Sequence, residues 1–289
     1  MVSIFKRRVG KKSNRSRSGD FFLVLFILFM AAIMGLPLVL TVANSLKPAD
    51  EFFLFPPRLW PKSLTGKNFE DLFRLMSTSW IPFSRYVFNT VFITTVGTAA
   101  HIISTSLAAY PVAKYSFPGS AGLDKIVTFS LMFSGAVTSI PAYMVMASLG
   151  FIDTYWSFII PALGGTLGFF MMRSFMGQIH DSLLDAAKID GASELRIFWK
   201  IVMPNVKSAW LTLMIFQVQA LWNATNTTYI YSEPLKTLPY AISQITSGGI
   251  ARAGASAAAT VIMMVIPVTI FIITQSNIIE TMGTSGIKE

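Results

Sequence analysis

The sequence predicts an all-α membrane protein with six transmembrane helices, and its composition and hydropathy pattern support this fold class. Of its 289 residues, 53% are hydrophobic and only 13% are charged, whereas a soluble domain carries about 25% charged residues. The mean hydropathy is +0.58. The apolar residues form continuous blocks, such as residues 21–43, which contain no charge. About 20 apolar residues are enough to cross the hydrocarbon core of a bilayer.

Six apolar segments predict the six spans, at about residues 21–43, 86–112, 126–148, 155–177, 208–230 and 256–279. The second is rich in Thr, Ser, Ala and Gly, which allow close helix packing in lipid. The fourth contains a proline and the Gly164-Gly165 pair, which predict a bend. No internal repeat is evident, so residues 21–279 form one transmembrane domain, with a basic tail at 1–20 and a second tail at 280–289.

The distribution of charge predicts that both termini lie in the cytoplasm. Seven of the 23 basic residues lie within residues 1–17, and a basic cluster beside an apolar span anchors the cytoplasmic side and contacts anionic lipid. The net charge of +9 is therefore attributed to membrane orientation and not to nucleic-acid binding. A cleaved signal peptide is the alternative for residues 1–43. Its apolar core would be only about 7–15 residues long, so a retained helix is favoured.

The mixed-charge stretch LLDAAKIDGASELRIFWKIVMP, residues 183–204, lies in a predicted cytoplasmic loop at 178–207. Asp181 is predicted to cap a short helix that ends at Asp190-Gly191, because glycine favours the left-handed end of a helix. Ser193 is predicted to cap a second short helix, and Pro204 to open the next one. The pattern indicates a compact helix–turn–helix at the membrane surface, with an ordinary amphipathic surface loop as the alternative.

The same stretch resembles the EAA loop of the membrane subunits of binding-protein-dependent ABC importers. That motif reads Glu-Ala-Ala, three residues, Gly, nine residues, Ile, one residue and Leu-Pro; here Asp replaces Glu and Met replaces Leu. The positions that keep its spacing, with the adjacent aspartate, are Asp185, Ala186, Ala187, Asp190, Gly191, Ile201, Met203 and Pro204. About 20 residues in register make this a specific resemblance.

The resemblance implies a type I ABC importer permease fold in a bacterial cytoplasmic membrane, close to the MalG-like subunits of sugar importers. It implies four kinds of partner: a second homologous permease, two ATPase subunits that bind ATP and magnesium, an extracellular solute-binding protein, and an oligosaccharide substrate. In this family the loop is a coupling helix that docks in a cleft of the ATPase. The C-terminal tail also contacts the ATPases, which by position implicates Thr284, Ser285, Gly286, Ile287 and Lys288.

Uncharged polar residues in the fifth span suggest a substrate path. Amides and an aromatic ring suit sugar hydroxyls and sugar faces, and the candidates are Gln217, Gln219, Trp222, Asn223 and Asn226. Hydrogen bonding between helices, with an interfacial tryptophan, is the alternative and is slightly favoured. His101, in the second span, is predicted to be a neutral histidine hydrogen-bonded between helices rather than part of a proton relay. Neither His101 nor His180 has the neighbours of a metal ligand.

The sequence contains no signature of an enzyme. A phosphate-binding G-x-x-x-x-G-K-[ST] loop is absent, as are a Ser-His-Asp set, paired carboxylates within a span, and cysteines. We therefore expect a transporter subunit that draws its energy from a partner. The same architecture serving a solute other than a sugar remains an alternative. An ion-coupled secondary transporter is disfavoured, because such proteins use intramembrane charges and these spans contain almost none.

Overall fold

The computed structural model of the chain describes residues 17–285 except 57, 78, 79, 134, 250 and 251. Every regular element among these residues is helical. The α-helices are α1 Arg17–Ser45, α2 Lys67–Ser77, α3 Phe83–Lys114, α4 Ser120–Ser130, α5 Gly135–Ser148, α6 Trp156–Leu163, α7 Thr166–Gly177, α8 Asp181–Ile189, α9 Glu194–Ile197, α10 Met203–Asn205, α11 Lys207–Trp222, α12 Leu238–Thr246 and α13 Ala253–Ser285.

Four helical segments are long and apolar enough to cross a membrane: Gly19–Ser45 of α1, all of α3, Trp156–Gly177 formed by α6 and α7, and Ala253–Gln275 of α13. Two bent pairs raise the number to six if each pair is one span, namely α4 with α5, and Glu194–Asn205 with α11. The described part of the chain is thus an all-helical membrane domain.

The long helix α3 is the centre of the bundle and packs most extensively against α7, α11 and α6. Its buried face carries mainly small and polar side chains, including Asn89, Thr94, Thr98 and Thr105, and such residues let helices approach closely in lipid. Gly97 shows this closeness, because a Cβ atom at that position would lie 2.6 Å from Leu221 of α11. By contrast, α1 packs chiefly on α13 and leaves most of its apolar side chains exposed, as expected of a surface that faces lipid or another subunit.

The third predicted span, 126–148, is not one straight helix. Helix α4 closes with tight i→i−3 hydrogen bonds from the amides of Leu131, Met132 and Phe133, and α5 then begins at Gly135. An ion pair of 2.8 Å between Asp124 of α4 and Arg173 of α7 ties α4 to α7. The sequence pattern could not show this break, because the apolar residues continue across it.

The fifth predicted span, 208–230, ends earlier than expected, at Trp222. Asn223 caps α11, because its amide side chain and its backbone N–H both donate to the Gln219 carbonyl, at 2.8 and 3.3 Å. Asn226 then adopts a positive φ of 44°. Residues 223–230 are therefore a connecting segment and not the last two turns of a helix.

Candidate functional site

The loop at 178–207 folds as the predicted helix–turn–helix. Helix α8 ends in a Schellman motif: the amide of Ala192 donates to the Ala187 carbonyl and the amide of Gly191 to the Lys188 carbonyl, both at 3.0 Å. Gly191 has the positive φ, 76°, that this motif requires. Residues 194–205 then form one helical run through α9, a π-helical turn at Phe198–Val202 and α10. This run meets α11 at an angle of 79°.

One detail of the predicted capping is wrong and two are borne out only in part. Asp181 is the first residue of α8 and not its cap; His180 holds the N-cap position. Ser193 lies at the N-cap of α9 but makes no side-chain cap hydrogen bond. Pro204 lies in the short α10, whereas the next span begins after Val206, whose φ of −100° and ψ of 27° interrupt the helix.

Lys114, the last residue of α3, fastens the start of this loop to the bundle. Its side chain is only 4% exposed, and its ammonium group lies 2.8 Å from the carboxylate of Asp181. The same group donates to the Ile179 carbonyl. The hydrogen bond and charge of Lys114 lower the pKa of Asp181. Because a buried ammonium is costly without partners, these contacts fix the position at which the loop leaves α7.

Glu194, the first residue of α9, fastens the second half of the loop to the same end of α3. Its carboxylate accepts hydrogen bonds from the hydroxyls of Tyr115, at 2.7 Å, and Tyr110, at 3.2 Å. Lys188 of α8 lies 3.3 Å from this carboxylate and 4.8 Å from the centre of the Tyr115 ring. The Tyr115 hydroxyl is the main cause of a lowered pKa at Glu194. Both halves of the loop are therefore tied to α3 and to each other.

The predicted coupling residues divide into a buried set and an exposed set. Ala187 is only 8% exposed and packs, with Met203, in a core shared with α3, α7 and α11. The small side chain of Ala187 lets α8 pack closely against the rest of its own subunit, and its role in coupling stays a prediction. Ile201 is half-buried, and the remaining predicted residues are exposed: Asp185, Ala186, Asp190, Gly191 and Pro204.

Four apolar side chains that the motif does not include are exposed on the same element and are called the exposed edge here: Leu183, Ile189, Leu195 and Trp199. Ile189 is 87% and Leu195 66% exposed. Apolar groups in this number at the polar end of a bundle indicate a surface that binds another protein.

The C-terminal tail, the second predicted contact with the ATPases, lies only partly within the described residues. Thr284 and Ser285 end α13, and Gly286, Ile287 and Lys288 lie outside the described residues.

Trp222 lies in the interface between α11 and α13. Its ring is buried, and its indole N–H donates to the Met263 carbonyl of α13 at 2.9 Å. Pro267, four residues beyond Met263, has no N–H to pair with that carbonyl. The indole therefore satisfies a backbone group that the proline leaves free, which is the interhelical alternative foreseen for this residue.

The other candidate path residues have different surroundings. Gln219 and Asn223 lie one turn apart and are both exposed, and Gln217 is half-buried. Gln219 also lines a small cavity of about 220 Å³ between α11 and α13. Asn226 contacts the Ser157 carbonyl of α6 at 3.5 Å. Of the five candidates, Gln219 and Asn223 are the ones most open to a ligand.

His101 bridges α3 to the break in the fourth span, as predicted for a histidine bonded between helices. Its Nδ1 lies 2.6 Å from the Ala162 carbonyl at the end of α6, and since a carbonyl only accepts, Nδ1 donates. Ser104 donates to the next carbonyl, that of Leu163, at 3.1 Å. These carbonyls have no partner within the helix, because α6 stops at Leu163. A Cβ atom at Gly165 would lie 2.1 Å from the His101 ring, so glycine at the break leaves the space that this ring occupies.

The opposite end of the bundle, at the first turns of α3, holds the segment that follows α11. Asn89 of α3 donates to the carbonyls of Pro234 and Lys236, both at 2.8 Å, and accepts from the Tyr155 hydroxyl at 2.8 Å. Sequence reasoning missed Asn89 and Lys114, polar residues near the two ends of the apolar α3, and Glu194, the first residue of α9. Among the described residues, no group of three His, Asp or Glu side chains is placed to hold a metal ion.

Known proteins resemble this chain in both sequence and fold. The family described as "Binding-protein-dependent transport system inner membrane component" matches residues 14–281. Protein LplC of Bacillus subtilis is 35% identical over 73% of this chain and 70% of its own length. The polygalacturonan/rhamnogalacturonan transport system permease protein YtcP of B. subtilis is 31% identical over 81% of each chain. A solved bacterial ABC transporter involved in the import of the acidic polysaccharide alginate has a chain that superposes with a TM-score of 0.75, at 19% identity, over 91% of this chain and 99% of that one.

The family match covers almost the whole chain, including the six apolar segments and the loop at 178–207. The alginate transporter supports the fold independently, because an overlay of that extent at low identity reflects shared architecture. The chain belongs to the family of inner membrane components of binding-protein-dependent transport systems.

Proposed function

We propose that this chain is one membrane subunit of an ATP-driven importer of sugars or oligosaccharides. It pairs with a homologous permease to form the translocation pathway, and an extracellular binding protein delivers the solute. Two ATPase subunits bind ATP and magnesium and supply the energy. The chain's own residues contribute a path and a mechanical link, and the carbohydrate class is supported by the named substrate of YtcP.

The observation that carries the proposal is the rigid, bent element at 181–205, with its exposed edge. An ATPase can drive helices only through an element that transmits force in both conformations. Lys114 and Glu194 tie this element to α3, and its buried face packs against α7 and α11. A push on the exposed edge would therefore move the centre of the bundle and not a loose loop.

The docking of the ATPase is tested by placing a charge on the exposed edge. Ile189→Asp should reduce co-purification of the ATPase subunits at least tenfold, because a desolvated, unpaired carboxylate in the centre of an interface costs about 2 kcal/mol or more. Co-purification of the partner permease should be unchanged. Leu149→Asp is the matched control, since Leu149 is also exposed but lies at the opposite end of the helices. Full retention of the ATPase by Ile189→Asp would contradict the proposal.

A further inference from the structure

Three tyrosines form a cluster at the end of the bundle opposite the exposed edge. Tyr143 belongs to α5, and Tyr229 and Tyr231 belong to the segment that follows α11. The rings of Tyr143 and Tyr229 are stacked, with centres 5.9 Å apart and planes 27° apart. The hydroxyls of Tyr143 and Tyr231 lie 3.2 Å from each other. Tyr231 is 57% exposed, so the cluster is accessible from outside the helices.

Asp153, in the turn between α5 and α6, holds this cluster in place. One of its carboxylate oxygens accepts from the backbone amides of Tyr231 and Ser232, at 3.0 and 2.8 Å, and the other accepts from the Ser232 hydroxyl. Its own amide donates to the Tyr229 carbonyl at 2.8 Å. Asp153 adopts a left-handed φ of 58° to make these contacts. Such backbone strain outside glycine often marks a functional position.

The arrangement suits a sugar ring better than it suits a membrane anchor. An aromatic belt needs only amphipathic rings at the headgroup level, whereas here the Tyr143 and Tyr229 rings are stacked and the Tyr143 and Tyr231 hydroxyls are in contact. An aromatic face packs against the apolar face of a pyranose, and the hydroxyls at its rim can bond sugar hydroxyls. Because the rings are already ordered, binding would cost little side-chain entropy.

The charge of the cluster indicates which sugars it accepts. Asp153 is held in its ionised form, since the hydrogen bonds from Ser232 lower its pKa. Its negative charge lies beside the tyrosines and would repel a uronic acid. The nearby cation Lys236 contributes to the lowered pKa of Asp153 but is paired with Glu233 at 2.9 Å, so Asp153, Glu233 and Lys236 together carry one net negative charge.

We propose that Tyr143, Tyr229 and Tyr231 form a stacking site for an uncharged sugar ring at the outer mouth of the pathway. The inference rests on the proposed function. It adds the place where this subunit first contacts the sugar, and a preference for neutral over acidic oligosaccharides.

The test uses the complete transporter, with both permeases, the ATPases and the binding protein, reconstituted in liposomes. Uptake of labelled malto-, arabino- and galacturono-oligosaccharides identifies the probe sugar. With that sugar, Tyr229→Leu and Tyr231→Leu should each slow uptake about tenfold, the scale of one lost aromatic contact. Tyr143→Phe keeps the ring but loses the hydroxyl that meets Tyr231, so it should slow uptake less than either leucine variant does. Trp156→Leu is the control, because Trp156 is similarly exposed, at 52%, but lies outside the cluster.

The possible outcomes separate this inference from the proposed function. If the unaltered transporter takes up none of these sugars, the proposed function fails. If it transports a neutral sugar and both leucine variants, assembled normally by size exclusion, transport it equally well, only the stacking site is wrong. If galacturono-oligosaccharides are the best substrates, as the resemblance to YtcP would suggest, the preference for neutral sugars is overturned. Because Tyr231 is largely exposed, Tyr231→Leu remains informative even if a change at Tyr143 disturbs packing.

Discussion

At the scale of single residues, Gly191 shows how a backbone requirement can be separated from a packing requirement. A Cβ atom at this position would meet no atom within 4 Å, yet φ is 76°. Glycine is therefore needed for its backbone conformation and not for space. A β-branched residue strongly disfavours positive φ, whereas asparagine tolerates it.

The first prediction is that Gly191→Val uncouples ATP hydrolysis from transport while Gly191→Asn largely preserves coupling. Keeping the turn should cost the valine variant about 1–3 kcal/mol of conformational free energy. The loop would therefore leave its docked position. The measurement is the number of ATP molecules hydrolysed per solute imported by the reconstituted transporter. Gly177→Val is a matched control, because Gly177 also has open space around it but lies in helical conformation at the end of α7. Normal coupling in Gly191→Val would show that the Schellman turn is not required for force transmission.

Trp222 and Ala187 show where inference from the sequence stops. The motif spacing identified Ala187, but only the fold shows that its side chain points into its own subunit. The aromatic ring of Trp222 suggested a contact with a sugar face, whereas its indole N–H bonds a carbonyl 41 residues away that Pro267 leaves free. Neither relation has a local signature, because both depend on which helices become neighbours.

At the scale of elements, the sequence predicts helices well and their interruptions poorly. Continuous apolar residues concealed the break between α4 and α5, and the uncharged residues after Trp222 did not mark the end of α11. The break in the fourth span was foreseen because glycine and proline have direct backbone effects. Its partner was not evident: the carbonyls freed at Ala162 and Leu163 are satisfied from α3 by His101 and Ser104.

The tie between Glu194 and the end of α3 should depend on pH in a defined direction. The pKa of Glu194 is lowered in the folded protein, chiefly by the Tyr115 hydroxyl. The contribution of this tie is therefore fully present above the unfolded value of about 4.3 and is lost as the pH falls through the lower folded value. Because Glu194 is largely exposed to solvent, the contribution is no more than about 1 kcal/mol.

We expect Glu194→Gln to lower the thermal midpoint of the purified complex at pH 7 by at most about 2–4 °C. The difference from the wild type should shrink as the pH falls below about 4.3, because protonated glutamate and glutamine then bind alike. Glu70→Gln provides the comparison, since Glu70 is an exposed acid on α2. An equal difference at pH 7 and in acid would mean that the ionised carboxylate does not hold the loop.

At the scale of the whole molecule, the structure separates two functional ends along α3. The loop at 181–205 is tied to its C-terminal residue, Lys114, whereas the tyrosine cluster and its supporting segment lie near its N-terminal turns, at Arg85 and Asn89. A helix of 32 residues is about 48 Å long, which is long enough for its two ends to lie on opposite sides of a bilayer. Family membership places the chain in a membrane, and the excess of basic residues in the predicted cytoplasmic segments favours the loop as the inner end.

This orientation gives the last prediction, which cysteine labelling can test. The sequence contains no cysteine, so the rest of this chain adds no background labelling. We expect Leu149→Cys to react with a membrane-impermeant maleimide in intact cells and Ile189→Cys to react only after permeabilisation. Both positions are exposed in the subunit, at 57% and 87%, so protection of position 189 in intact cells would reflect the membrane or a bound ATPase. Permeabilisation removes the membrane barrier. A wash without nucleotide and at high salt then weakens the polar contacts between the loop and a bound ATPase. Labelling of position 189 in intact cells, with position 149 protected, would invert the topology. An inverted topology would remove the proposed role of the loop, because an exterior element cannot receive force from an ATPase that uses cytoplasmic ATP.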